Sequence, residues 1–170
     1  YLPNNENNLA YKAALLLMEE FYISAHIRIK IKKMIPVAAG MAGGSADAAA
    51  VLKGVNKLFG LHLTNEELKK RGVTLGADIP YCIDGGTALS EGIGEILTPL
   101  SPMPQCIILL VKPPINVSTK LVYGKLDAAN NEYHPDIDGM IEAIEAERAH
   151  AAEHHHHHDH DHDHEHEHSH

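Results

Sequence analysis

The residues best suited to chemistry lie in one short run, PVAAGMAGGSADAAA, at positions 36–50. A phosphate group is held by backbone N–H donors aimed at it. Small residues let the backbone come close, and the start of a helix adds a favourable partial charge. Gly40, Gly43 and Gly44 supply the close approach, and Ser45 is a good N-cap for a helix that would supply the dipole. Between Glu20 and Asp47 there is no acidic residue, but there are four basic ones, Arg28, Lys30, Lys32 and Lys33. That local positive balance suits an anionic ligand. The run is not a Walker A loop, because no Gly-Lys-Ser/Thr ends it, and it lacks the dinucleotide G-x-G-x-x-G pattern. Read alone, it is equally a tight turn whose glycines serve packing. A second residue to note is Asp78, a single acid within GADIP at 76–80; on its own it reads as a turn or helix cap. The third is the C-terminal run, where 11 of the 15 histidines fall between His154 and His170 among Asp and Glu. It forms a high-capacity ligand set for Zn²⁺, Ni²⁺, Co²⁺ or Cu²⁺ without one fixed site. Composition leaves its origin open between an affinity tag, a natural metal-buffering tail and a reading-frame change.

These residues need elements to position them. Asn8 can cap a helix over 9–21 with Leu9, Ala13, Leu16 and Leu17 on one face. Ile27, Ile29 and Ile31 alternate with Arg28, Lys30 and Lys32, which predicts a strand ended by Pro36. Helical spacing of Ala48, Val51, Leu52, Val55, Leu58 and Phe59 predicts a helix opening at Ser45 and stopped by Gly60. Thr64 and Glu67 have capping-box spacing for a short helix to about Arg71. Residues 76–100 read as a loop followed by short strands. The apolar run CIILLV at 106–111 reads as a central strand. Ser118 can cap a helix to about Leu126, and a last helix is expected over 136–148. Strands and helices without a regular βα repeat make the class α+β.

The chain has 170 residues and a formal charge of −9, which falls to −4 without its last seventeen positions. No apolar run reaches the roughly 18 residues of a membrane span. An acidic body with 5% aromatics argues against a nucleic-acid binder. Cys82 and Cys106 make neither a disulfide framework nor a metal cluster, and are expected as reduced, mostly buried thiols of a cytoplasmic protein. The oligomeric state is not legible.

The 36–50 run resembles the ATP-phosphate loop of the GHMP kinase superfamily. NLAYKAA (8–14), GADIPYCIDGGTAL (76–89), GIGEILTPL (92–100), KPPINVSTKLVYGKLD (112–127) and HPDIDGMIEAIE (134–145) narrow the resemblance. They are similar to the branch that phosphorylates a cytidine diphosphate-linked methylerythritol in bacterial isoprenoid synthesis. The resemblance implies a partial ribosomal protein S5 domain 2-like fold, with ATP and Mg²⁺ as cofactors. It maps the phosphate loop onto Pro36, Val37, Ala38, Ala39, Gly40, Met41, Ala42, Gly43, Gly44, Ser45 and Ala46. Ser45 is the candidate Mg²⁺ ligand, with Ala46 where the family commonly has a second serine. Asp78 matches the family's catalytic aspartate. Thr119 and Tyr123 match positions facing the substrate, with the tyrosine ring on cytosine; read alone, Tyr123 is a core residue of a short helix. The family's N-terminal strand with its catalytic lysine, its Gly-Tyr-His segment and its second-domain Gly-Ser-Gly loop have no counterpart here. The expected organisation is an incomplete N-terminal kinase domain over 1–112, the start of a second domain over 113–150, and a disordered tail over 151–170. Such a piece is expected to have little or no kinase activity by itself. A non-catalytic nucleotide- or metal-binding remnant, or a GHMP kinase of another specificity, are the competing readings.

Overall fold

A computed structural model describes residues 3, 5–37, 39–113, 119–128 and 134–156, without the side chains of 119–120, 127–128 and 147–156. Helix α1 (Leu9–Glu20) begins where expected. The Asn8 side chain accepts from the Ala10 N–H at 2.9 Å and donates to the Pro3 carbonyl at 2.8 Å. Ala10, Ala13, Ala14 and Leu17 form its buried stripe. Three of these four side chains are single methyls, so α2 (Gly43–Leu58) can approach closely through Ala48, Ala49, Leu52 and Val55. Gly60, at φ +58°, ends α2. The turn beyond is closed by Asn56, which donates to the Leu63 carbonyl at 2.9 Å and accepts from the Leu63 N–H at 3.0 Å.

Helix α3 (Asn65–Gly72) opens on the capping box. The Thr64 N–H donates to the Glu67 carboxylate at 2.8 Å, and the Glu67 N–H donates to the Thr64 hydroxyl at 3.3 Å. Arg71 ties α3 to α1: it donates to both Glu20 carboxylate oxygens, at 2.7 and 2.5 Å, and lies 5.8 Å over the Phe21 ring. Helix α4 (Ile79–Asp84) lies within the stretch expected to be a loop. It docks on α2 and α3 through the fully buried Ile79 and Ile83. Lys69 pairs with Asp84 at 2.6 Å, and Lys53 donates to the Ile83 carbonyl. Strands β1 (Ala88–Glu91) and β2 (Ile96–Pro99) form an antiparallel hairpin with Ala88 opposite Pro99 and Glu91 opposite Ile96. Helices α5 (Thr119–Ala128) and α6 (Ile137–His156) complete the described elements. The result is α+β, as expected. No described helix is long and apolar enough to cross a membrane.

Several expectations are corrected. Residues 23–34 are neither helix nor strand and belong to no ladder among the described residues. The in–out alternation is nonetheless real, because Ile27 and Ile29 pack on the core while Arg28, Lys30 and Lys32 are exposed. The 106–111 run is likewise no central strand: Ile107 is fully exposed, and Leu109 and Val111 are 85% and 80% exposed. A strand exists only with a partner ladder, and apolarity alone supplies none. Cys106 is exposed, while Cys82 is half-buried. The last helix runs beyond 148 to His156, into the segment expected to be disordered. Ser118 and residues 157–170 lie outside the described residues.

Candidate phosphate-binding site

The segment after Ile35 turns into α2 through residues with left-handed backbone. Gly40 has φ +68° and Ala42 has φ +48°. Ala42 is the N-cap residue of α2 and makes no side-chain cap bond. An L-residue in that region costs roughly 1–2 kcal/mol, which is why glycine is commoner at such a position. The strain is borne where the loop must redirect the chain into the helix. The structure corrects the expected helix start: α2 begins at Gly43, so Ser45 is its third residue and not its N-cap. Nor is Ser45 open to solvent. It is 9% exposed, and its hydroxyl lies 3.9 Å from the point where a Cβ on Gly76 would stand.

The first N–H groups of a helix have no intrahelical acceptor. In α2 these belong to Gly43, Gly44 and Ser45, and the first turn carries no acidic side chain. A hollow of about 230 Å³ lies on this loop, walled by Pro36, Val37, Ala39–Gly44 and Lys33. Lys33 does not point freely into it. Its ammonium donates to the Gly43 carbonyl and to the Asp47 carboxylate, each at 2.6 Å. Arg28, Lys30 and Lys32 therefore carry the exposed positive charge of this region.

Asp78 meets the Gly40–Ala42 part of the loop in a neighbouring cleft. It immediately precedes α4, and its carboxylate makes no cap bond to that helix. The side chain is exposed and lines an open cleft of about 860 Å³ together with Gly40, Met41 and Ala42. The cleft's far wall is the hairpin and the segment behind it, through Thr87, Ser90, Met103 and Cys106. Asp78 also acts on Cys82, whose thiol is pushed up first by burial and then by that carboxylate. The fold thus brings together two features that lie over thirty positions apart in sequence, the Gly-rich loop and Asp78.

Other expected residues are not brought there. Tyr123 lies on α5, is 61% exposed and does not wall the cleft, so it is not the core residue its spacing also allowed. Thr119 opens the same helix, and its side chain lies outside the described residues, as does Ala38. Ala46 follows Ser45 in α2, beyond the loop residues that wall the hollow. Among the described residues no group of three or more His, Cys, Asp or Glu could hold a metal. Mg²⁺ commonly binds through substrate phosphates with only one or two protein ligands, so a phosphate-borne ion fits this site better than a protein cage. Two features escaped the sequence. Lys33 read only as a positive charge, because nothing marked its pairing with Asp47. The Met103–Cys106 part of the wall carries no recognisable motif.

Comparison with known proteins bears on this geometry. Residues 8–86 match the family described as GHMP kinases N terminal domain. The chain is 58% identical over 150 residues to a 4-diphosphocytidyl-2-C-methyl-D-erythritol kinase of Lachnoclostridium phytofermentans, covering 88% of this chain and 52% of the relative. It is 59% identical over 144 residues to the kinase of that name from Lachnospira eligens, covering 85% and 50%. A crystal structure of 4-(cytidine 5'-diphospho)-2C-methyl-D-erythritol kinase superposes with a TM-score of 0.68 at 32% identity, over 86% of this chain and 53% of that one. The chain therefore spans about half the length of the relatives it matches. Residues 8–86 thus match the GHMP kinase N-terminal domain, and the chain is similar to these small-molecule kinases over most of its own length.

Proposed function

We propose that this chain carries the nucleotide-phosphate half of a small-molecule kinase. Its acceptor would be the 2-hydroxyl of 4-diphosphocytidyl-2-C-methyl-D-erythritol, a step of isoprenoid biosynthesis. The observation that carries the reading is the shared cleft: Gly40, Met41 and Ala42 of the helix-opening loop wall one open space with Asp78. In this reading the loop amides hold the phosphates of ATP. Mg²⁺ arrives on those phosphates, and Ser45, though sheltered in the first turn of α2, is the chain's own candidate ligand. Asp78 orients the acceptor hydroxyl and takes its proton. Phosphoryl transfer asks a protein for positioning and charge stabilisation above all, and both are within reach of these groups. Thr119 and Tyr123 would hold the cytidylated substrate, with the ring stacked on the base.

The proposed division is an N-terminal kinase domain over 1–112, the start of a second domain over 113–150, and a His-rich tail over 151–170 that takes up transition metals. Because the chain spans about half of its relatives, we expect it to turn over substrate weakly or not at all. The test has two arms. A coupled ADP-release assay on the chain itself should give little turnover; a rate near that of a full-length relative overturns that expectation. In a chain extended to its relatives' length, Asp78→Asn should lower turnover about 10²–10⁴-fold, the usual worth of a general base, and leave nucleotide affinity unchanged. Unaltered turnover removes Asp78 from the reaction.

A further inference from the structure

We infer that Lys33 is the positioning residue of the phosphate loop, an inference that rests on reading 36–46 as a phosphate cradle. Its ammonium bridges Gly43, the first residue of α2, and Asp47, which lies four positions on in the same helix. One side chain thus spans the opening turn of the helix and pins it to the segment before the loop. Both partners are largely sheltered, with the Lys33 and Asp47 side chains 18% and 23% exposed. The clamp also lies close against a glycine. A Cβ on Gly43 would stand 3.0 Å from the Lys33 Nζ and 3.0 Å from the Ile35 Cγ2. A side chain at Gly43 would thus press on both the clamp and Ile35.

The pairing does a second thing. Asp47 sits one turn into the helix whose start would face a polyanion, and an uncompensated carboxylate there would oppose phosphate binding. Lys33 neutralises it without adding free positive charge to the hollow it walls. Tether and neutralisation are separable, because replacing Asp47 removes the charge while replacing Lys33 removes both.

Amide hydrogen exchange on the unliganded 170-residue chain reads the tether directly. Lys33→Met should speed exchange across 39–48 by about tenfold, the worth of a charge-assisted hydrogen bond, with α3 and α4 unchanged. Asp47→Asn, which leaves the bond to the Gly43 carbonyl, should speed the same segment less, and it decides the matter if Lys33→Met does not fold. Titration with a non-hydrolysable ATP analogue reads the charge. Lys33→Met should lose about tenfold or more in affinity, and Lys33→Met/Asp47→Asn should regain part of it while its exchange stays fast. Unchanged exchange over 39–48, or an equal rise throughout α3 and α4, overturns the inference. Failure of the parent chain to bind the analogue overturns the phosphate reading of the loop, and the exchange data still decide the tether.

Discussion

Gly72 is the position where one methyl group should do the most damage. It ends α3 against α4, and it is buried. A Cβ there would lie 2.6 Å from the Ile79 Cγ2 and 3.3 Å from the Ile83 Cδ1. Carbon atoms pack best at about 3.5–4.0 Å, so the nearer contact is short by about 1 Å. The Cγ2 cannot swing aside. It sits on the branched carbon of a stiff side chain, and Ile79 is fully buried. Either Ile79 leaves its rotamer or α4 moves. Two terms compete. Alanine in place of a helical glycine gains about 0.5–1 kcal/mol, while overpacking a filled core costs about 1–3 kcal/mol. With so short a contact to a rigid methyl, the cost should win by about 1–2 kcal/mol. For a chain of this size that lowers Tm by about 2–8 °C. Urea and thermal unfolding of Gly72→Ala measure it. In an Ile79→Ala background the penalty should vanish, since the clashing methyl is gone. A variant as stable as the parent, or more stable, refutes the packing argument and leaves helix propensity in control. The outcome matters to the site because Asp78 precedes Ile79 and moves with it.

Other expectations follow from caps, ion pairs and exposure. Thr64→Ala removes the hydroxyl that accepts from Glu67 and should cost about 1 kcal/mol in urea unfolding. Glu20 is held below the usual carboxylate range mainly by hydrogen bonds from Arg71, and Glu67 by those from the Thr64 backbone and hydroxyl. Their folded pKa values lie below the unfolded ones, so this stabilisation is complete above the ordinary carboxylate pKa and is lost as pH falls through the depressed values. Glu20→Gln should flatten the acid limb of a stability–pH curve; an unchanged limb would show the pair to be screened out by solvent. Iodoacetamide should label Cys106, which is exposed, well before Cys82, whose thiol is raised by burial and by Asp78. Mass spectrometry of the peptides reads the order, and faster labelling of Cys82 would contradict the packing around α4.

The parts of the fold that could be read in advance are those whose causes are local. Asn8 caps α1 with a bond two residues away, and Thr64 and Glu67 close their box within one turn. The face of α1 follows from periodicity, although the buried set is richer in alanine than the expected one. Helix α4 could not be read, because six residues flanked by glycines have no helical signal of their own. It exists because Ile79 and Ile83 bury themselves against α2 and α3, a tertiary gain larger than its weak propensity. Residues 27–31 and 106–111 failed for the opposite reason. Their patterns describe side chains, while a strand depends on a neighbouring backbone.

The candidate site divides in the same way. Sequence alone determined that residues 36–46 turn glycine by glycine into a helix, that the chain around them is basic, and that Asp78 sits in a segment of kinase-like character. Those are matters of residue type and short spacing. Only the tertiary structure decided that Asp78 and Gly40–Ala42 wall one cleft, that Ser45 is packed away, and that Lys33 is spent on Gly43 and Asp47. Each of these depends on how α2 and α4 dock and where the loop folds back, and such contacts arise from packing between distant segments that no local pattern encodes.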